Sequence, residues 1–141
     1  MRVLIVDNWS GYGISCRAML EFRGHAARLI NPPLVFDAKD SSSYEAALVD
    51  QIMSEARDFR PDWVLMVLQG HDSSHQVGVA IAIHEQMPTT RFYFTSGWPH
   101  EQELDYARSQ GLNLHFGIMP GHEQFLEEID RTSRSISLLE K

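Results

Sequence analysis

The chain has 141 residues, of which 43% are hydrophobic and 22% charged, with aromatics spread along its length. That length suits one ordinary globular domain with its own core, and the composition argues against disorder before the last few residues. A formal net charge of −7 without a basic stripe excludes the clustered cations that nucleic-acid phosphates require. The charge favours solubility and a neutral or basic partner. No apolar run approaches the roughly 20 residues of a membrane span, and Met1–Asp7 turns polar too soon for a signal peptide. A cytoplasmic protein is expected. With Cys16 alone, no internal disulfide is possible. Its expected role is that of a small buried apolar side chain.

In chain order, a first apolar run, Val3–Val6, ends at Asp7. The segment behind it carries Ile14, Ala18, Met19 and Phe22 at helical spacing and stops at Gly24. A second strand, Ala26–Ile30, is closed by Asn31-Pro32-Pro33. The segment Asn31–Ser41 is long for a connection, and the expectation is a loop folded back on the sheet edge. Ser42 and Glu45 form a capping box for a helix whose face is Tyr44, Leu48, Ile52, Ala56 and Phe59. Trp63–Leu68 is a third strand. Val77–Met87, apolar almost all round, is a buried helix. Phe92–Phe94 makes the fourth strand, and Pro99 opens a polar helix with Leu104 and Ala107. Leu112–Ile118 is the fifth strand. A last helix from about Gly121 carries Phe125, Ile129, Ile136 and Leu139, with residues 132–141 either extending it or frayed. Uniformly apolar strands suit burial on both faces of a parallel sheet, and strict alternation predicts helices on both sides of it.

Several histidines, His71, His75, His100 and His122, are expected in the loops after strands three to five, on the same edge as Asp7 and Asp72. Asp7, His71, Asp72 and His75 are weak candidates for a transition-metal site, since no tight ligand signature accompanies them. Ser10-Gly11-Tyr12-Gly13 occupies the place of a phosphate-binding turn but matches no phosphate-loop pattern; a turn using glycine for backbone freedom is the plainer expectation. Ser96 in Thr95-Ser96-Gly97 has no partner base implied by spacing.

Four segments in order, VLIVDN, RPDWVLMVLQG, RFYFTSG and LHFGIMPGHEQFLEEI, resemble the receiver domains of bacterial response regulators. The resemblance implies a CheY-like, flavodoxin-like α/β three-layer sandwich with a five-stranded parallel sheet in the order 2-1-3-4-5. It also implies a site at the carboxyl ends of the strands. Receivers move a phosphoryl group from a histidine kinase to an aspartate, with acidic residues for Mg²⁺ and a lysine for the developing charge. By the resemblance, Asp7 and Thr95 match. Asn8 lacks the second charge, Val67 stands at the acceptor position, Met119 replaces the lysine before Pro120, and Phe116 falls at the aromatic switch. A valine cannot form an acyl phosphate, so no catalytic residue and no cofactor are expected, and Mg²⁺ binding is doubtful. A dry pocket predicts that Asp7 is hydrogen-bonded to loop amides or raised in pKa.

The expected function is that of a non-phosphorylatable receiver-like module in a two-component or phosphorelay-type system. It would act on a separate protein partner or by self-association, without an attached output domain. The resemblance implies contact through the fourth helix, fifth strand and fifth helix, with Trp98 at the rim. Neither nucleic acid nor membrane is an expected partner. One alternative is a ligand-binding or enzymatic flavodoxin-like domain using Asp7, Ser10, His71 and Thr95, or, more remotely, a glycosyltransferase-like half. Another is a true phospho-acceptor in a different register, with Asp72 as substitute.

Overall fold

The computed structural model describes residues 1–7, 11–31, 41–68, 73–97, 100–118 and 122–139. Strands and helices alternate throughout: β1 (Arg2–Val6), α1 (Tyr12–Phe22), β2 (Ala26–Ile30), α2 (Ser41–Phe59), β3 (Trp63–Val67), α3 (Ser73–Gln86), β4 (Arg91–Ser96), α4 (Glu101–Ser109), β5 (Leu114–Ile118) and α5 (His122–Leu139). The strands form one parallel sheet in the order β2-β1-β3-β4-β5, as the resemblance implied.

Side-chain alternation along each strand assigns two cores. Leu4, Val6, Val64, Met66, Phe92 and Phe94 point towards α2, α3 and α4. Val3, Ile5, Trp63, Leu65, Val67 and Tyr93 point towards α1 and α5. β1, β3 and β4 are buried on both faces, which is why their sequences are almost continuously apolar. β2 and β5 lie at the sheet edges and are only half-buried. Burial on both faces, expected of every strand, therefore holds only for the central three.

The helices bear out part of the sequence reading. Leu48, Ile52, Ala56 and Phe59 of α2, and Leu104 and Ala107 of α4, are buried as their spacing predicts. On α5, Phe125 and Ile129 are buried, whereas Ile136 is exposed and the helix continues to Leu139. α4 starts at Glu101 with His100 at its N-cap, and Pro99, expected to open it, lies outside the described residues. Ser42 and Glu45 lie within α2, but their side chains, and with them the proposed box, lie outside what is described, as does the loop over 32–40.

α1 is rotated from its expected setting. Tyr12, Cys16 and Leu20, one residue per turn and slightly more, face the sheet. Ile14 (58% exposed), Met19 (40%) and Phe22 (92%) face outward. Both triplets fit a helical period. The inward one wins because it brings Gly13 against Asp7 and Leu29, where a Cβ would stand 2.9 Å from Asp7 Cβ, Asp7 Oδ2 and Leu29 Cδ1. Only a residue without a side chain lets α1 approach that closely. Gly11, by contrast, has φ −70, so backbone freedom is not what this turn requires of its glycines.

Candidate functional site

Strand register sets four residues in a row across the carboxyl end of the sheet. Val67 pairs with Thr95, and Thr95 with Gly117. Asp7 follows Val6, whose partner is Met66, and so stands beside Val67. All four share the face covered by α1 and α5. Asp7, Val67 and Thr95 are fully buried.

Asp7 is held by the first turn of α1. Its Oδ2 accepts the Gly13 N–H at 2.8 Å, so a carboxylate meets a helix N-terminus, where negative charge is favoured. The sequence predicts a bond to loop amides or a raised pKa; the donor is instead the amide of the second residue of α1. Tyr12 and Cys16 reach the same row from α1. Burial, with the nearby Cys16, raises the Tyr12 hydroxyl above its usual value, while the Thr95 side chain works the other way. Burial likewise pushes the Cys16 thiol up to about 12, with a bond to Tyr12 opposing and the Asp7 charge adding. Both groups therefore stay protonated at neutral pH, and Cys16 is a packing residue rather than a reactive thiolate. Thr95 Oγ1 is buried near the Tyr12 hydroxyl and makes no hydrogen bond of good geometry among the described residues.

Two contacts seal the row from the other side. Gln76 Nε2 of α3 donates to the Val67 carbonyl at 2.7 Å, and both residues are buried. Ser96 Oγ lies 2.9 Å from His100 Nε2, again buried. Sequence spacing suggested no base for Ser96, yet the turn after β4 supplies one. Nor are all four histidines in loops: His75 lies on α3, His100 caps α4 and His122 begins α5. Nothing in the sequence pattern marked Gln76. Tyr12, Cys16 and Leu20 do recur every four residues, but the outward stripe shares that helical period, so spacing alone does not single out Tyr12.

Asn8, His71, Asp72, Trp98 and Met119 lie outside the described residues, as does Ser10. Phe116 is half-buried on β5 and packs on the α4 side of the sheet. Among the described residues, no three His, Cys, Asp or Glu side chains stand close enough to hold a metal ion. Asp7 is the sole carboxylate of the row, and its Oδ2 is engaged. Among the described residues the row thus offers one carboxylate, whereas Mg²⁺ asks for several oxygen ligands in near-octahedral order.

A groove of about 360 Å³ opens between α4, β5 and α5, lined by Tyr93, Arg108, Phe116, Gln124 and Glu127 among others. Tyr93 enters it from β4, its hydroxyl so close to Gly117 that a Cβ there would lie 2.2 Å away. Tyr106 on α4 and Ile118 on β5 are exposed large apolar residues.

No family model matches the chain, and no curated protein matches it. Solved structures do. It is similar to a CheY-like response regulator receiver domain from Methanospirillum hungatei JF-1 (TM-score 0.71, 15% identity, covering 93% of this chain and 91% of that one). It is also similar to a response regulator from Thermotoga maritima (0.67, 14%, 92% and 94%). A third is the non-phosphorylated HemR receiver domain from Leptospira biflexa (0.67, 19%, 92% and 91%). The chain thus has the CheY-like receiver fold. Among the described residues, no helix is long and apolar enough to cross a membrane.

Proposed function

We propose that this chain is a single receiver-like signalling module that accepts no phosphoryl group and acts in the cytoplasm by protein–protein contact. The observation that carries the reading is Val67. It is fully buried in the register position between Asp7 and Thr95, where a phospho-accepting receiver would present its aspartate. An isopropyl side chain offers no lone pair for an acyl phosphate. The neutral Tyr12, Cys16 and Thr95 around it supply no charge to stabilise a transferring phosphoryl group.

The partner contact falls on α4, β5 and α5 in this reading. The half-buried edge strand, the exposed Tyr106 and Ile118, and the groove beside Phe116 support that choice, because apolar and aromatic side chains anchor protein interfaces. The test combines the protein with Mg²⁺ and either acetyl phosphate or beryllofluoride. Unchanged amide spectra around Asp7, Val67 and Thr95, and no phosphorylated mass, are expected. A phosphorylated species, or shifts centred on that row, would overturn the reading.

One observation favours a second reading, an enzymatic flavodoxin-like domain: the Ser96–His100 contact has the geometry of a nucleophile and its base. Burial of both side chains weighs against it. Covalent labelling of Ser96 by a serine-directed phosphonylating probe would support this second reading, and its absence would sink it.

A further inference from the structure

A second groove, of about 680 Å³, lies at the opposite end of the sheet, where α2 and α3 end and β3 and β4 begin. Its volume falls within the range of small-molecule sites. Arg57, Arg60, Asp62, Met87, Pro88 and Thr89 are among the residues that line it. Two guanidinium groups against one carboxylate leave the lining net positive in a chain of net charge −7.

Three features mark it as built for an anion. Arg57 donates from Nε and Nη2 to Gln86 Oε1, at 3.0 and 2.9 Å. A neutral amide thus fixes the guanidinium, and among the described residues no carboxylate pairs with it. Arg60 makes no ion pair or side-chain hydrogen bond among the described residues. Asp62, on the rim of the same groove, has its Oδ2 bonded to the Arg2 N–H at 2.8 Å, and Asp58 pairs with Arg28 at 2.9 Å.

The backbone of Arg60 supplies the third feature. Helices α1 and α4 are each followed by a glycine in the left-handed region, Gly24 at φ 87 and Gly111 at φ 90. α2 is followed by the same conformation, with the Arg60 N–H bonded to Ala56 O at 2.8 Å, but the residue is an arginine at φ 53. Glycine is the unstrained choice there. Among the described residues, Arg60 is the one non-glycine residue with positive φ. Strain retained at a bulky charged residue points to use of its side chain.

We propose that this groove binds a small molecule bearing an oxyanion, a phosphate monoester or a carboxylate. The guanidinium groups of Arg57 and Arg60 hold the anion, and Met87 and Pro88 offer an apolar floor for the rest of the ligand. Guanidinium groups suit both anions through paired N–H···O bonds. The site is remote from the Asp7 row and does not depend on how that row is read.

The test titrates the whole chain at low salt with phenyl phosphate, inorganic phosphate and citrate, following amide spectra and thermal midpoint. Shifts at Arg57, Arg60 and Thr89 are expected, with a midpoint rise of about 3–6 °C at tenfold ligand over Kd. A response to the phosphates alone assigns a phosphoryl ligand; a response to citrate alone assigns a carboxylate. Arg60→Gly should fold at least as stably as the parent yet bind at least about tenfold more weakly. Arg57→Gln should weaken binding similarly and serves if Arg60→Gly fails to fold. No response to any probe at about 100-fold the protein concentration, or undiminished binding in both variants, would overturn the proposal.

Discussion

Gly13→Ala measures how tightly α1 is docked on the carboxyl end of the sheet. The added methyl would stand 2.9 Å from each of three heavy atoms, two on Asp7 and one on Leu29. Ordinary carbon contacts lie about 3.5–4.0 Å apart, so α1 must retreat by roughly an ångström. Overpacking of this kind costs about 1–3 kcal/mol. Retreat also stretches the buried Gly13 N–H bond to Asp7 Oδ2, and a buried group left unsatisfied costs about 1–3 kcal/mol. Alanine returns about 1 kcal/mol of helix propensity. The net loss is about 1–5 kcal/mol, or a fall of about 3–15 °C in thermal midpoint for a domain of this size. Urea and thermal denaturation provide the assay, with Gly11→Ala as control. Nothing lies within 4 Å of a Cβ at Gly11, so that change should be neutral within about 0.5 kcal/mol. A Gly13→Ala protein as stable as the parent would refute the close approach of α1 to Asp7.

The rotation of α1 makes an opposed pair: Leu20→Ala should cost about 2–5 kcal/mol, and Phe22→Ser less than about 0.5 kcal/mol, by urea denaturation. Val67→Asp should destabilise by about 3 kcal/mol or more at neutral pH, because it buries a carboxylate beside Asp7. That cost should shrink towards pH 4 as the new group protonates, and acetyl phosphate should still leave no phosphorylated mass. At Asp130, burial acts upward, but hydrogen bonds from His25 and Arg23 outweigh it and hold the carboxyl below its usual 3.8. A depressed folded-state pKa gives stability that is present above the unfolded value and lost as pH falls through the folded one. The stability gap between the parent and Asp130→Asn should therefore be full at pH 6 and close below about pH 4 in pH-dependent denaturation.

The strand and helix order was legible because buried parallel strands carry unbroken apolar runs, and Val64–Met66 or Phe92–Phe94 admit little else. The edge character of β2 was less visible, since Ala26, Ala27 and Leu29 look apolar whether or not a helix covers them. On α1 two stripes shared one period, and sequence offers no way to weigh a methyl clash with Asp7 that exists only once the helix is docked. Asp7, Val67 and Thr95 lie side by side at the strand ends, a juxtaposition that follows from where the parallel strands start. The lining of that row was not legible. Gln76 reaches Val67 O from nine residues away in sequence, and His100 meets Ser96 from four residues on, a pairing that no local propensity signals. The strained Arg60 was invisible because left-handed backbone leaves no signature when the residue is not glycine.

The Tyr93 hydroxyl fills the space that a side chain on the neighbouring strand at Gly117 would need, with Gln124 Oε1 only 3.0 Å from the same point. These positions on β4, β5 and α5 are therefore not free to drift one at a time. A lineage that enlarges position 117 must first shorten the side chain at 93, and the order of those two steps matters. The seam between the last two strands accordingly constrains the evolutionary paths open to the very edge on which a partner is expected to land.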